Sequence, residues 1–191
     1  IKAIDGVVIV IKLGGSLAHS KALINCLNKI QQRYQGRAVI IVPGGGAFAD
    51  QVRLAQQQWR FDEVTAHHMA ILAMQQMALM FKGLVPQWPI VSSLSELQQD
   101  SHSNKTLIWS PNSAELDQSG VPATWDISSD SLAAWLAKQV SATELILVKS
   151  AVIDPQASLE QLAALQIVDQ GFCQQVQDGL FRIRVVNQQD F

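Results

Sequence analysis

Two apolar runs, each leading straight into a cluster of glycines, constrain this chain more than any other feature. The first is Val8-Ile9-Val10-Ile11-Lys12-Leu13-Gly14-Gly15-Ser16, and the second is Val39-Ile40-Ile41-Val42-Pro43-Gly44-Gly45-Gly46. Residues 7–13 are apolar and largely β-branched apart from Lys12, and residues 38–42 repeat the pattern without a charge, as buried parallel strands should. Glycines directly after a strand let the backbone turn sharply and bring N–H groups against an anion, where a Cβ would block the approach. Lys12 adds a mobile positive charge where a transferring phosphoryl group would sit. The plainer alternative is two strand-to-helix turns with a lysine snorkelling from a sheet end.

Two nucleotide signatures can be tested against these loops. No Gly-x-x-x-x-Gly-Lys-Ser/Thr occurs, which excludes a P-loop. Residues 44–49 fit the loose Gly-x-Gly-x-x-Ala form of a dinucleotide fingerprint, with Asp62 and Glu63 downstream. That reading leaves Lys12 and Gly14-Gly15 without a role, whereas phosphoryl transfer uses them directly.

A third element follows the same logic. Trp125-Asp126-Ile127-Ser128-Ser129-Asp130-Ser131 precedes Leu132, Ala133, Trp135, Leu136 and Ala137, so polar capping residues lead into helical apolar spacing and a helix begins near Ser128 or Ser129. Asp130 then lies in the first turn. There it either complements the helix dipole or orients a catalytic lysine. The strand at 145–148 ends in Lys149-Ser150 and returns the chain to the same edge of the sheet.

Taken in order, Ile11-Lys12-Leu13-Gly14-Gly15-Ser16, Val42-Pro43-Gly44-Gly45-Gly46, Ser128-Ser129-Asp130-Ser131-Leu132-Ala133-Ala134 and Leu145-Ile146-Leu147-Val148 resemble the amino acid kinase family. That group contains acetylglutamate, aspartate, uridylate and isopentenyl phosphate kinases. Within it, residues 44–50, Ala66-His67-His68-Met69-Ala70 and 125–131 look most like the small kinases that phosphorylate aminomethylfuran phosphate in methanofuran synthesis. The resemblance implies that Lys12 contacts the transferred phosphoryl group and that Gly14 and Gly15, with Ser16, offer N–H groups to it. It implies that Gly44, Gly45 and Gly46 cradle the acceptor together with Asp50, Asp126 and Ser128, and that Asp130 orients the lysine machinery. ATP and Mg2+ are implied as well, with the metal held largely by the nucleotide and no dedicated ligand cluster. Larger members carry a second catalytic lysine in a downstream Gly-rich segment, but residues 151–175 contain no lysine here. Either Lys149, beside Ser150, serves as the second cation from its strand end, or one lysine works with metal.

Composition agrees with a cytoplasmic enzyme. At 191 residues the chain is long enough for one domain spanning 1–191, and 48% hydrophobic with 16% charged residues suits a sheet covered on both faces. A net charge of -2 argues against a nucleic-acid surface. Cys26 and Cys173 lack metal-ligand spacing and are expected as buried free thiols. No apolar run approaches a membrane span and no signal-peptide pattern opens the chain, which begins at Ile1, so a few residues are expected to precede it.

Elsewhere the chain alternates helix and strand. Helices are expected at 20–34, 47–58, from Asp62 or Thr65 to 81, and at 158–165, with strands near 89–91, 106–109 and 182–186. The helix at 65–81 is apolar nearly all round and must be core or interface, which predicts a homodimer or higher homo-oligomer. His67 and His68 point about 100° apart on it, so at most one faces a substrate; otherwise both are structural. Trp125 either stacks on a flat ring or plugs a loop, and Trp135 is expected in the core.

These features together predict a three-layer α/β/α sandwich with a mostly parallel open sheet and a site at the carboxyl ends of its strands. The expected activity is ATP-dependent transfer of a phosphoryl group to a small-molecule acceptor that itself carries phosphate, giving a diphosphate. The alternatives are a kinase for an acyl carboxylate, or a non-catalytic nucleotide- or oxyanion-binding protein of the same fold.

Overall fold

In the computed structural model, which describes residues 7–100 and 103–191, β1 (Val8–Leu13) and β2 (Ala38–Pro43) are buried at every residue. They pair in parallel, Val8 opposite Ala38 through Leu13 opposite Pro43. With β3 (Ile90–Val91), β4 (Thr106–Trp109), β5 (Glu144–Lys149) and β6 (Arg182–Asn187) they form one sheet in the order β3-β4-β2-β1-β5-β6. Every neighbouring pair is parallel, so the sheet is wholly rather than mostly parallel. The chain moves outward from β1 on one side through β2, then returns to place β5 on the other. This reversal opens a crevice at the carboxyl ends of β1, β2 and β5.

Strand alternation sends side chains into two cores. On one face Val8, Val10, Ile40, Val42, Leu145 and Leu147 pack against α6 (Ser129–Gln139), with α7 (Leu159–Ala164) and α8 (Phe172–Val176) outside it. On the other, Ile9, Ile11, Ile41 and Ile146 pack against Leu23, Leu27 and Ile30 of α1 (Ala22–Arg33). The outcome is the α/β/α arrangement. Trp135 belongs to the first core, its ring 6.0 Å from that of Trp109.

After β2 come α2 (Gly46–Trp59) and α3 (Glu63–Leu84), the latter capped by Asp62, whose carboxylate accepts from Thr65 N at 2.8 Å. The near-continuous apolar surface of α3 has a specific use: Ile71 and Met74 enter the first core, while Met77, Ala78 and Phe81 enter the second. A stripe remains uncovered, with Leu72 54% and Leu79 65% exposed.

Three short helices were not legible in the sequence: α4 (Leu94–Asp100), α5 (Ser113–Gln118) and α8. The 3-10 turn Gly15–His19 was missed too. Each is two turns or fewer, too short for apolar periodicity to register. Of the two free cysteines, Cys26 is buried but Cys173 is only partly so, because α8 lies at the outer surface. No helix among the described residues is long and apolar enough to cross a membrane.

Candidate active site

The register between β1 and β5 assembles the charged centre. Lys12 stands opposite Leu147, so Lys149, two residues on, projects to the same sheet face. That face carries α6, and Asp130 in its first turn points down between the lysines. Lys12 Nζ lies 2.8 Å from Asp130 Oδ1, and Lys149 Nζ lies 2.5 Å from Oδ2. Lys12 and Asp130 are only 4% and 3% exposed. Snorkelling does not describe either lysine, since both ammonium groups turn inward onto a buried carboxylate.

The charges tune one another. Burial pushes the Asp130 carboxyl up, but Lys12 and Lys149 together outweigh it and hold the group below its ordinary value, so it is ionised at neutral pH. Burial, reinforced by Lys12, lowers Lys149 to about 8, while Asp130 and then Asp169 act to hold it up. One carboxylate thus faces two cations. The centre lacks negative charge, which an incoming phosphate would supply.

The two glycine loops pack directly on each other. A Cβ on Gly15 would stand 2.3 Å from Gly46 N, and one on Gly44 would stand 2.5 Å from Gly15 N. Gly46 also adopts φ +54, a conformation glycine takes without strain. Two amides expected to face phosphate are spent elsewhere: Gly14 N donates to Val148 O at 3.1 Å, and Gly44 N donates to Leu13 O at 2.9 Å. Both therefore fix strand ends. Gly15 and Gly46 each open a helical turn, so their amides have no partner within it and are available to an anion.

Two adjoining chambers open here. A cavity of about 250 Å3 is lined by Gly15, Ser16, Gly45, Gly46, Asp50 and His67, with Met74, Ile127 and Leu132 as its apolar floor. A second, of about 400 Å3, contains Lys12, Asp130 and Lys149, walled by residues 166–170. Arg53, Trp125 and Ser128 line both and form the partition. The Arg53 guanidinium covers the Trp125 ring at 3.9 Å from its centroid, and Trp125 Nε1 donates to Gln56 Oε1 at 2.6 Å. That face of Trp125, proposed from sequence as a ring-stacking surface, is taken by arginine.

Of the remaining expected residues, Ser16 and Ser150 meet through their hydroxyls at 2.9 Å, tying the loop after β1 to the end of β5. Asp126 is exposed and lines neither chamber; its carbonyl accepts from Gly171 N at 2.9 Å. Of the two histidines, His67 is buried in the cavity wall with Nδ1 3.1 Å from Thr124 O, and burial lowers its pKa. His68 turns away to Asp117, 3.0 Å distant. Sequence reasoning missed Arg53 and Asp169. Arg53 carried a weak signal, a basic residue in the helix that follows the second glycine loop. Asp169 carried none, because its contacts lie far away in sequence.

Comparison with known proteins bears on the fold and the family. The amino acid kinase family profile matches residues 7–151. The [5-(aminomethyl)furan-3-yl]methyl phosphate kinase of Methanocaldococcus jannaschii is 27% identical over 141 residues, covering 72% of this chain; the matched region spans 63% of that relative's length. Among solved structures, uridylate kinase from Archaeoglobus fulgidus superposes with a TM-score of 0.72 at 15% identity, covering 96% of this chain and 92% of the other. Aspartate kinase from Synechocystis gives 0.68 at 14% identity, with coverage of 95% and 38%. These likenesses establish the fold. With its profile running from β1 through β5, the chain belongs to the amino acid kinase family.

Proposed function

We propose that this chain is an ATP-dependent phosphotransferase whose acceptor is a small phosphomonoester, such as an aminomethylfuran phosphate, and whose product is a diphosphate. The observation that carries this reading is the buried Lys12–Asp130–Lys149 cluster beside a separate cavity walled by the two glycine loops. Two chambers meeting at one partition suit a donor and an acceptor that exchange a group there. An oxygen of the acceptor phosphate would bond to the γ-phosphorus as the bond from that phosphorus to the bridging β-oxygen breaks, releasing ADP. An already ionised phosphate needs no general base. Lys12 and Lys149 would offset the charge shared by the phosphoryl oxygens, so catalysis is positioning plus electrostatics.

Arg53 supports the choice of a phosphorylated acceptor. It makes no ion pair among the described residues, and its guanidinium is held on the Trp125 ring at the partition, where a second anion would arrive. Mg2+ does not fit a site built by the protein alone. Among the described residues no three His, Cys, Asp or Glu side chains gather, and both oxygens of Asp130 are held by lysine. The ion would enter on the nucleotide's own phosphates.

The protein is further proposed to act in the cytoplasm as a homodimer, with α3 in the interface. The exposed Leu72 and Leu79, seven residues apart and so on one side of α3, form an apolar stripe that a second copy would cover.

The deciding experiment measures ADP release with a panel of phosphomonoesters, the matching alcohols and carboxylates. Turnover that appears only with a phosphomonoester supports the proposal. Turnover with carboxylates would reassign the acceptor, and nucleotide binding without turnover on any acceptor would make the protein a binder.

A further inference from the structure

The segment between α7 and α8 supplies no lysine, yet it reaches the charged centre through a carboxylate. Asp169 Oδ2 accepts from Ser128 N at 2.9 Å, Ser128 Oγ at 2.7 Å and Ser131 N at 3.0 Å, while Oδ1 accepts from the Ser131 hydroxyl. Three donors converge on Oδ2 and one on Oδ1, so both oxygens of Asp169 are engaged in holding the start of α6. Ser128, the N-cap of α6, makes no capping bond of its own because its hydroxyl is turned onto Asp169. A residue far along the chain therefore caps this helix.

The latch has a second half. Gly171 N donates to Asp126 O at 2.9 Å, and a Cβ on Gly171 would stand 2.4 Å from Ile127 Cδ1. Residues 126–131 and 169–171 are thus locked together on both sides of Asp130. The same downstream segment walls the chamber that holds Lys12 and Lys149.

We propose that Asp169 is a positioning residue for phosphoryl transfer: by capping the start of α6 through Ser128 and Ser131, it fixes Asp130 at the spacing that holds both lysines toward the phosphates. The inference rests on the kinase reading for its effect on rate, but its electrostatic half does not. The charged groups that face Lys149 are Lys12 from β1, Asp130 from α6 and Asp169 from the α7–α8 segment, with Arg53 of α2 in the same chamber. Removing the Asp169 charge takes away one of the two carboxylates that favour protonated Lys149.

The test uses the full chain and Asp169→Asn, whose single amide oxygen can accept only two of the four bonds. Turnover should fall by about 10- to 100-fold, the scale of a misplacement near 1 Å at a reacting centre. The Michaelis constant for ATP should change much less, and circular dichroism should remain that of the parent. Independently of turnover, pH-dependent acetylation of Lys149 read by mass spectrometry should titrate at lower pH in the variant. Ser131→Ala, which removes one bond and keeps the charge, should slow turnover while leaving that titration in place, and it substitutes if Asp169→Asn does not fold. A lowered melting temperature with unchanged turnover and unchanged Lys149 titration would reduce Asp169 to a helix cap and overturn the inference. If the parent shows no turnover on any acceptor, the kinase reading fails. The titration still decides whether Asp169 governs the lysine.

Discussion

Lys12 and Lys149 hold opposite oxygens of one carboxylate because Lys12 stands opposite Leu147, two residues before Lys149, across parallel strands. A shift of one residue in that pairing would send the two ammonium groups to opposite faces of the sheet. Asp130 completes the centre only because α6 begins over that face.

Asp130→Asn keeps the shape and leaves two ammonium groups close together without the carboxylate that bridges them. Breaking a buried pair in this way costs about 3–5 kcal/mol, so denaturant unfolding should show a loss of that size at neutral pH. The carboxyl pKa is depressed in the folded state, so its contribution is present above the ordinary carboxylate range and disappears as pH falls through the lowered value. The difference between parent and variant should therefore shrink in acid. Equal stability at pH 7 would show that the two lysines do not depend on this charge.

Lys12→Ala removes the cation nearest the two glycine loops. Loss of one group that stabilises developing charge lowers turnover by about 10²- to 10³-fold, with nucleotide affinity less affected. Unaltered kcat in a correctly folded variant would take Lys12 out of the mechanism.

Lys149 sits near a pKa of about 8, down from 10.5. A bound phosphate favours its charged form, so nucleotide binding above pH 8 should be accompanied by proton uptake. Calorimetry at pH 8.5 in buffers of different ionisation enthalpy measures it. The uptake should vanish in Lys149→Ala. In the empty protein, the unfolded chain binds the extra proton between about 8 and 10.5, so this group makes stability rise with pH across that window.

Gly15→Ala places a methyl group 2.3 Å from Gly46 N and 2.5 Å from Gly46 Cα. Backbone rather than a flexible side chain stands in the way, so the two glycine loops must separate. Destabilisation of about 1–3 kcal/mol is the usual scale of such overpacking, and both nucleotide and acceptor binding should weaken. A variant with parental melting temperature and kinetics would mean that the loops can part freely.

The exposed stripe on α3 predicts a mass in light scattering of twice the chain, and Leu72→Asp combined with Leu79→Asp should return the protein to a monomer with its circular dichroism intact. A parent that is monomeric at micromolar concentration would leave the stripe as solvated surface.

The sequence by itself determined the long elements and the ends of the strands that carry the site. Runs such as 38–42 are apolar, β-branched and without interruption, the pattern of a strand buried on both faces, and the glycines after them permit the sharp turn and close backbone approach that follow. Lys12, Asp130 and Lys149 could be named because each stands at the end or start of such an element. Tertiary structure alone decided that the three touch, since strand register and the placement of α6 are set by long-range packing that no local pattern encodes. It also decided which glycine amides remain open, withdrawing Gly14 and Gly44 by bonding them to Val148 and Leu13. Asp169 was invisible for the same reason. A carboxylate in a loop has no signature until the fold brings Ser128 and Ser131 to it, because hydrogen bonds are chosen by proximity in space rather than in sequence.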